Sequence, residues 1–193
     1  MKINNIIKIC TKSGILAVYD GKGGEQWISD SKGLYLISNL PSFTPEELAT
    51  LYGISEKQFN KMSVRTEPAL PAFIDFSDHS EHEEQIDSYR IYFIDSGKII
   101  EPYKTSHGVL FLNTVYLSPF ADMDIELYLR TTVTGQPFFC VKQGLNLFAV
   151  ISPEKMLTED FIVKFEDFAF NCKDTFCDIS HLTKEDEDAQ QKF

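Results

Sequence analysis

The chain has 193 residues and 22.1 kDa, with 29 Asp and Glu against 18 Lys and Arg, a formal net charge of -11 and a pI near 4.8. A hydrophobic share of 43%, including 16 Phe and 8 Tyr, is too apolar for a disordered chain and sufficient for one sizeable core or two small ones without disulfide staples. The longest apolar runs, such as Val109 to Leu112 and Leu147 to Ile151, hold about five residues where a bilayer-spanning helix needs roughly 20, so no transmembrane helix is expected.

The amino end mixes Asn and Lys into its apolar positions and lacks the continuous apolar stretch and small-residue cleavage site of a signal peptide, so a cytoplasmic protein is expected. In that compartment Cys10, Cys140, Cys172 and Cys177 are expected as reduced, structural thiols. The first forty residues read as short strands cut by turns. Ile6 to Cys10 leads into Lys12-Ser13-Gly14, Ile15 to Tyr19 runs to the Asp20-Gly21 hairpin signal, and Gln26 to Ile28 and Leu34 to Ile37 complete an antiparallel meander.

Helical signals begin at Thr44-Pro45-Glu46-Glu47, which supplies an N-cap, a first-turn proline and the glutamate of a capping box, with Leu48, Leu51 and Tyr52 as the apolar face. Ser55 to Gln58 repeats the box and opens a second short helix to about Met62. The pair has helix-turn-helix spacing. Its second helix offers only Lys57 and Lys61 as cations and its first begins with two acids, so a packed helical hairpin is expected rather than a DNA reader.

Beyond Glu67-Pro68-Ala69-Leu70-Pro71 the pattern turns to β, with strands expected near Ala72 to Phe76, Tyr89 to Ile94, Lys98 to Tyr103, Gly108 to Leu112, Ile125 to Thr132, Pro137 to Lys142 and Leu145 to Ile151. Glu126, Tyr128 and Arg130 alternate with Ile125, Leu127 and Leu129, the period of a strand with one wet face. From Leu157-Thr158-Glu159-Asp160, the residues Phe161, Ile162, Phe165, Phe168, Ala169 and Cys172 recur at helical spacing, and a helix to about Asp178 is expected to lay that stripe on the sheet. The expected fold is therefore α+β. Residues 1-63 form a small antiparallel meander with a helical hairpin, residues 64-182 form a larger antiparallel sheet with a C-terminal amphipathic helix, and residues 183-193 form an acidic, solvated tail.

The charge is unevenly placed. Residues 1 to 40 carry five Lys and three acids, a net of +2, which leaves -13 for the remaining 153 residues. Asp75, Asp78, Glu81, Glu83, Glu84 and Asp87 fall within one stretch that holds no Lys or Arg, and Glu185 to Asp188 form a second block. A duplex-binding protein needs an electropositive footprint, so direct, sequence-specific DNA binding is not expected. The acidic stretch is instead the natural contact for a basic partner surface.

Catalytic motifs are sparse. Gly21-Lys22-Gly23-Gly24 feeds a strand rather than a helix, unlike a phosphate-binding P-loop, and reads as a hairpin turn. Ser29-Asp30-Ser31-Lys32 has the S-x-x-K spacing without its partner motifs. Cys172, Cys177 and His181 lie along one helix and its end rather than across a cleft. His79 and His82, set among Asp78, Glu81, Glu83 and Glu84, are the candidate metal ligands; converged, they would suit zinc or manganese and a metal-dependent hydrolase. Trp27 and the tyrosines are expected to be mostly structural.

The stretch from Asn5 to Cys10, with Leu16 to Gly21, Glu25 to Asp30, Gly33 to Tyr35, Leu40-Pro41 and Thr44 to Ile54, resembles uncharacterised proteins carried by phages and other mobile elements of Firmicutes. Leu127 to Arg130 and Gly135 to Lys142, continuing to Val150-Ile151, carry the same resemblance. Through that group the chain is similar to type II anti-CRISPR proteins, and the resemblance implies a protein that binds Cas9, alone or with its guide RNA, and prevents its action on target DNA. That family has no defined contact motif, so it assigns no residues. The leading expectation is a non-enzymatic inhibitor without a cofactor, with its contact at Asp75 to Asp87. The alternatives are the hydrolase at His79 and His82 and a phage assembly component that forms a homo-oligomer.

Overall fold

The structure, a computed structural model, describes residues 1-156 and 160-172. They fall into two compact units, Met1–Glu154 and a second that begins at Lys155. The fold is α+β, as expected. No described helix is long and apolar enough to cross a membrane.

The first element corrects the sequence reading. Ile3–Ser13 is a helix, α1, and not a strand. Asn4, Lys8 and Lys12 recur every four residues as its exposed stripe, while Ile6, Ile7, Ile9 and Cys10 are buried. The isoleucines favour a strand by propensity, but the burial of one helical face outweighs a preference of ~0.5 kcal/mol per residue. Gly14 ends the helix at φ 74, where its N–H donates to the Cys10 carbonyl at 2.9 Å.

The strands are β1 (Ile15–Asp20), β2 (Gln26–Ser29), β3 (Gly33–Ile37), β4 (Ser63–Glu67), β5 (Glu84–Gln85), β6 (Asp87–Ser88), β7 (Phe93–Asp95), β8 (Lys98–Thr105), β9 (Gly108–Asn113), β10 (Glu126–Thr131), β11 (Pro137–Gln143) and β12 (Asn146–Ile151). Eight of them form one sheet in the order β4-β1-β2-β3-β12-β11-β10-β5. Only β4 lies parallel to its neighbour, with Leu16 opposite Val64; the other pairs are antiparallel. The boundary expected between residues 63 and 64 falls inside β4, and β3 pairs with β12, so strands from both sides of it share one sheet.

The two capping boxes form as the sequence predicts. Thr44 and Glu47 cap α2 (Pro45–Leu51), and Ser55 and Gln58 cap α3 (Glu56–Phe59). Four residues make α3 too short to be a recognition helix. The smaller sheet is built on β8, with β6 and β7 along one edge and β9 along the other. Tyr89–Ile94 is regular only from Phe93, because Arg90 adopts φ 56 and interrupts the strand. A 3-10 turn at Thr114–Phe120, which the sequence reading misses, carries the buried Tyr116, Pro119 and Phe120.

Both faces of the large sheet are covered. On one lies the main core, joining Ile6, Ile7 and Cys10 of α1 with Tyr35, Leu112, Phe120, Leu129 and Phe139. On the other, Trp27, Leu34, Phe138, Cys140, Leu147 and Val150 are covered by Leu70, Ile74 and Phe76. These last three belong to an irregular strap, residues 68-83, where a strand is expected at Ala72 to Phe76 and none forms. Pro68 and Pro71 supply no N–H for a ladder, and Ile74 turns back to donate to the Pro71 carbonyl.

Between β2 and β3, the buried carboxylate of Asp30 accepts from the N–H groups of Lys32 and Gly33 at 3.1 and 2.9 Å and from the Tyr116 hydroxyl at 3.0 Å. A Cβ at Gly33 would lie 2.8 Å from Tyr35 Oη and 2.9 Å from its Cε2. That ring is wholly buried, and its hydroxyl is committed to the Tyr116 carbonyl at 3.2 Å, so it has no room to yield. Gly33→Ala is expected to destabilise by roughly 1–3 kcal/mol. Thermal unfolding followed by circular dichroism checks this, and an unchanged midpoint contradicts it.

In the second unit, residues 160-172 form a helix, α4, with Phe161, Phe165, Phe168, Ala169 and Cys172 at the expected spacing. The Phe161 and Phe165 rings stack with centroids 6.0 Å apart, and Phe168 lies 6.4 Å from Phe165. The expected start at Leu157 to Glu159, the continuation to Asp178 and the tail 183-193 lie outside the described residues.

Candidate functional site

The strap is held by charge. Arg130 on β10 and Lys142 on β11 point to the strap face of the sheet, and each side chain is only 2% exposed. This corrects the expectation that Arg130 lies on a wet face: the strap covers that end of the strand, while Glu126 remains exposed and Tyr128 half-buried. The guanidinium makes five hydrogen bonds, matching its five N–H donors. Nε and Nη2 bond to Glu83 Oε2, and the others reach the carbonyls of Asp75, Ser77 and Asp78. Lys142 Nζ donates to Glu83 Oε1 at 2.7 Å and lies 4.7 Å from the centroid of the Tyr128 ring.

One carboxylate therefore bridges two buried cations. Burial opposes the ionisation of Glu83, but hydrogen bonds from Lys142 and Arg130, with their positive charge, outweigh it and hold the carboxyl below its ordinary 4.5. Asp75, whose carboxylate lies 3.7 Å from Arg130, is also held low: its partial burial is outweighed by hydrogen bonds from Ser77 and by the guanidinium.

This bracing shapes a cleft of about 570 Å³ between the strap and the β1-β2 turn. Its apolar lining includes Trp27, Leu36, Leu147, Leu70, Ile74 and Phe76. Its polar rim carries the carboxylates of Asp20, Glu25, Asp75 and Asp78 against a single cation, Lys22. Phe76 meets Trp27 edge-on, with ring centroids 5.0 Å apart and an interplanar angle of 69°. Asp78 fixes the opposite wall by accepting the Leu147 N–H at 2.9 Å. The Asp20-Gly21 hairpin signal is real: a single 3-10 turn at Lys22–Gly24 joins β1 to β2, and Gly21 donates to the Glu25 carbonyl at 2.7 Å.

Trp27 itself is 2% exposed, and its indole Nε1 is buried with no hydrogen-bond partner. A Cβ at Gly21 would lie 3.2 Å from Trp27 Cδ1, the atom bonded to Nε1, so the five-membered ring of the indole lies beside the turn that lines the cleft. Among the described residues no other buried side-chain nitrogen or oxygen lacks a partner.

The six acids of the predicted contact thus divide. Asp75 and Asp78 line the cleft, and Glu83 is enclosed beneath the strap. Glu84 accepts from the Ser106 N–H and hydroxyl, which hold its carboxyl below the ordinary value. Glu81 is exposed on the strap, and Asp87 is exposed on β6 opposite Lys104. His79 is 73% exposed, 3.6 Å from a Glu83 carboxylate already committed to Lys142, and His82 is exposed as well. Among the described residues, no three His, Cys, Asp or Glu side chains converge as a metal site requires.

Burial pushes the Cys140 thiol up to about 12 and raises that of Cys10 further, so both remain protonated packing groups. Cys172 is free, and Cys177 lies outside the described residues. Of the aromatic anchors, Trp27, Tyr35, Tyr103 and Tyr116 are buried, whereas Tyr89 and Tyr92 are exposed. Asp20, Glu25 and Trp27 are the cleft residues that sequence reasoning does not assign to a site. The Asp20-Gly21 turn signal locates the hairpin, but its meeting with a strap some fifty positions on is a long-range event, roughly a loop closure with no local signature. Compared with known proteins, the chain matches no family model, no curated protein and no solved structure.

Proposed function

We propose that this chain is a non-enzymatic binding protein of a phage or mobile element that docks on a basic surface of a host nucleic-acid-handling effector, Cas9 being the specific one, and blocks its use of nucleic acid. The observation that carries the proposal is the carboxylate rim: Asp20, Glu25, Asp75 and Asp78 surround an apolar cleft in which Lys22 is the only cation among the lining residues, with Arg130 beneath the strap beside Asp75. Two of these carboxylates belong to the acidic stretch expected as the contact, and the resemblance to anti-CRISPR proteins supplies the partner. Cas9 holds nucleic acid in positively charged channels. A protein of net charge -11 is steered toward such a surface by a field that salt screens within about 8 Å at physiological ionic strength.

The proposal is tested by immobilising the full chain and presenting Cas9 with and without guide RNA, at low and high salt. Retention at low salt that falls as salt rises is the expected result. Absence of retention at low salt, in both forms of Cas9, contradicts it.

A further inference from the structure

We infer that the Trp27 cleft is a receptor for a single basic side chain, arginine or lysine, carried on an extended segment of a protein partner, and that a main-chain carbonyl of that segment accepts the Trp27 indole N–H. The inference deepens the function proposed above and rests on it for the partner's biological identity, but not for its chemistry.

Two independent observations meet in the cleft. The first is charge. Asp75 and Asp78 are already engaged by Arg130, Ser77 and the Leu147 N–H, whereas neither Asp20 nor Glu25 has an ion-pair partner among the described residues. Four carboxylates around one cleft, with Lys22 as the only cation among its lining residues, favour the arrival of a further cation. The apolar lining suits the methylene stem of a long basic side chain while its charged head remains at the rim. An anionic ligand would meet four carboxylates, and a purely apolar one would leave them unpaired and partly desolvated.

The second observation is the indole. A buried N–H without an acceptor is costly, and it is retained here in a side chain that lines the cleft, is 2% exposed and has Cδ1, the atom bonded to Nε1, beside Gly21. A guanidinium or ammonium has only donors and leaves Trp27 unsatisfied. The acceptor must come from another part of the same ligand, and the carbonyl next to a basic side chain meets that need. Gly23 and Gly24 already adopt φ 70 and 86, and Gly21 precedes them, so the turn beside the indole consists largely of residues whose backbone re-adjusts at little steric cost. Free amino acids and polyamines lack this pairing of cation and peptide carbonyl, which selects a protein segment.

Trp27 is the only tryptophan, so the site carries its own reporter. The full chain is titrated with acetyl-Gly-Ser-Arg-Gly-Ser-amide, its lysine counterpart and its glutamate counterpart, followed by intrinsic fluorescence and by the single indole N–H resonance. The arginine and lysine peptides are expected to shift the emission saturably and to move the indole resonance downfield, and the glutamate peptide to do neither. The double variant Asp20→Asn with Glu25→Gln is expected to weaken binding at least tenfold without moving the unfolding midpoint. As a second variant on the exposed turn, Lys22→Ala is expected to tighten binding.

No saturable change with either basic peptide overturns the inference, as does equal binding of the glutamate peptide. Failure of both variants to alter the affinity overturns it too. The Cas9 arm separates the two claims. If the double variant binds Cas9 as the native chain does, the cleft assignment fails and the function stands. If the basic peptides bind and Cas9 does not, the function fails and the cleft stands.

Discussion

Glu83→Ala is expected to lower the thermal unfolding midpoint by roughly 10 °C, the equivalent of about 3–5 kcal/mol for a chain of this size. The substitution removes one carboxylate and strands two cations, Arg130 and Lys142, whose side chains are each 2% exposed. It also frees the strap, since the same guanidinium holds the carbonyls of Asp75, Ser77 and Asp78. The destabilisation arises from uncompensated charge and not from lost volume. Replacing the whole cluster, Glu83→Leu with Arg130→Met and Lys142→Met, is therefore expected to recover most of the loss.

The pH dependence has a definite sign. The folded-state pKa of Glu83 is depressed below 4.5, so its contribution is fully present above the unfolded value and is lost as pH falls through the lower, folded value. Asp75 and Glu154 are shifted the same way: each is partly buried, which raises the value, and Ser77 with Arg130, or Lys32 with Lys98, more than reverses it. Native-chain stability should decline as acid is added from about pH 4.5 downward. The gap between native chain and Glu83→Ala should narrow over the same range. A constant gap across it contradicts the ion-pair account.

Phe139→Ala is expected to destabilise by about 3–5 kcal/mol at every pH where the protein folds. Phe139 is wholly buried at the centre of β11, and its ring meets Tyr103 of β8 edge-on at 5.6 Å. That contact joins the large sheet to the small one, so truncation opens a cavity at the junction rather than at the periphery. Hydrogen exchange should accelerate more in β8 and β9 than in β1 and β2, and uniform acceleration contradicts this placement. Together the variants separate the two forces that hold the fold, since one responds to pH and the other does not.

What the sequence discloses follows the range of the interaction. The boxes at Thr44 and Ser55 are local, each complete within four residues, and both form as read. The hairpin at Asp20-Gly21 is equally local, with Gly23 and Gly24 of its turn at φ 70 and 86. Long-range partners are the failures. Ile6 to Cys10 has the composition of a strand, and only a sheet face waiting beneath one side makes it a helix. Ser63–Glu67 has too few apolar residues to announce itself and is recruited by parallel pairing with β1.

Arg130 illustrates the same limit at the candidate site. Its alternation with Leu127 and Leu129 is sound, but the second face is wet only where no strap crosses it. The stretch from Asp75 to Asp87 contains no cation, and its cations arrive from β10 and β11, some fifty positions later. A segment that reads as free negative charge is thus partly spent on holding itself down. Asp20 and Glu25, cleft carboxylates without an ion-pair partner among the described residues, lie in a part of the chain that reads as nearly neutral.

The most direct test of the proposed function is cleavage of a target duplex by guide-loaded Cas9 in the presence of increasing amounts of the full chain. The account predicts that cleavage falls toward zero as the chain reaches and exceeds the concentration of Cas9, and that raising the salt restores it. Cleavage unchanged at a large excess of chain in low salt contradicts it.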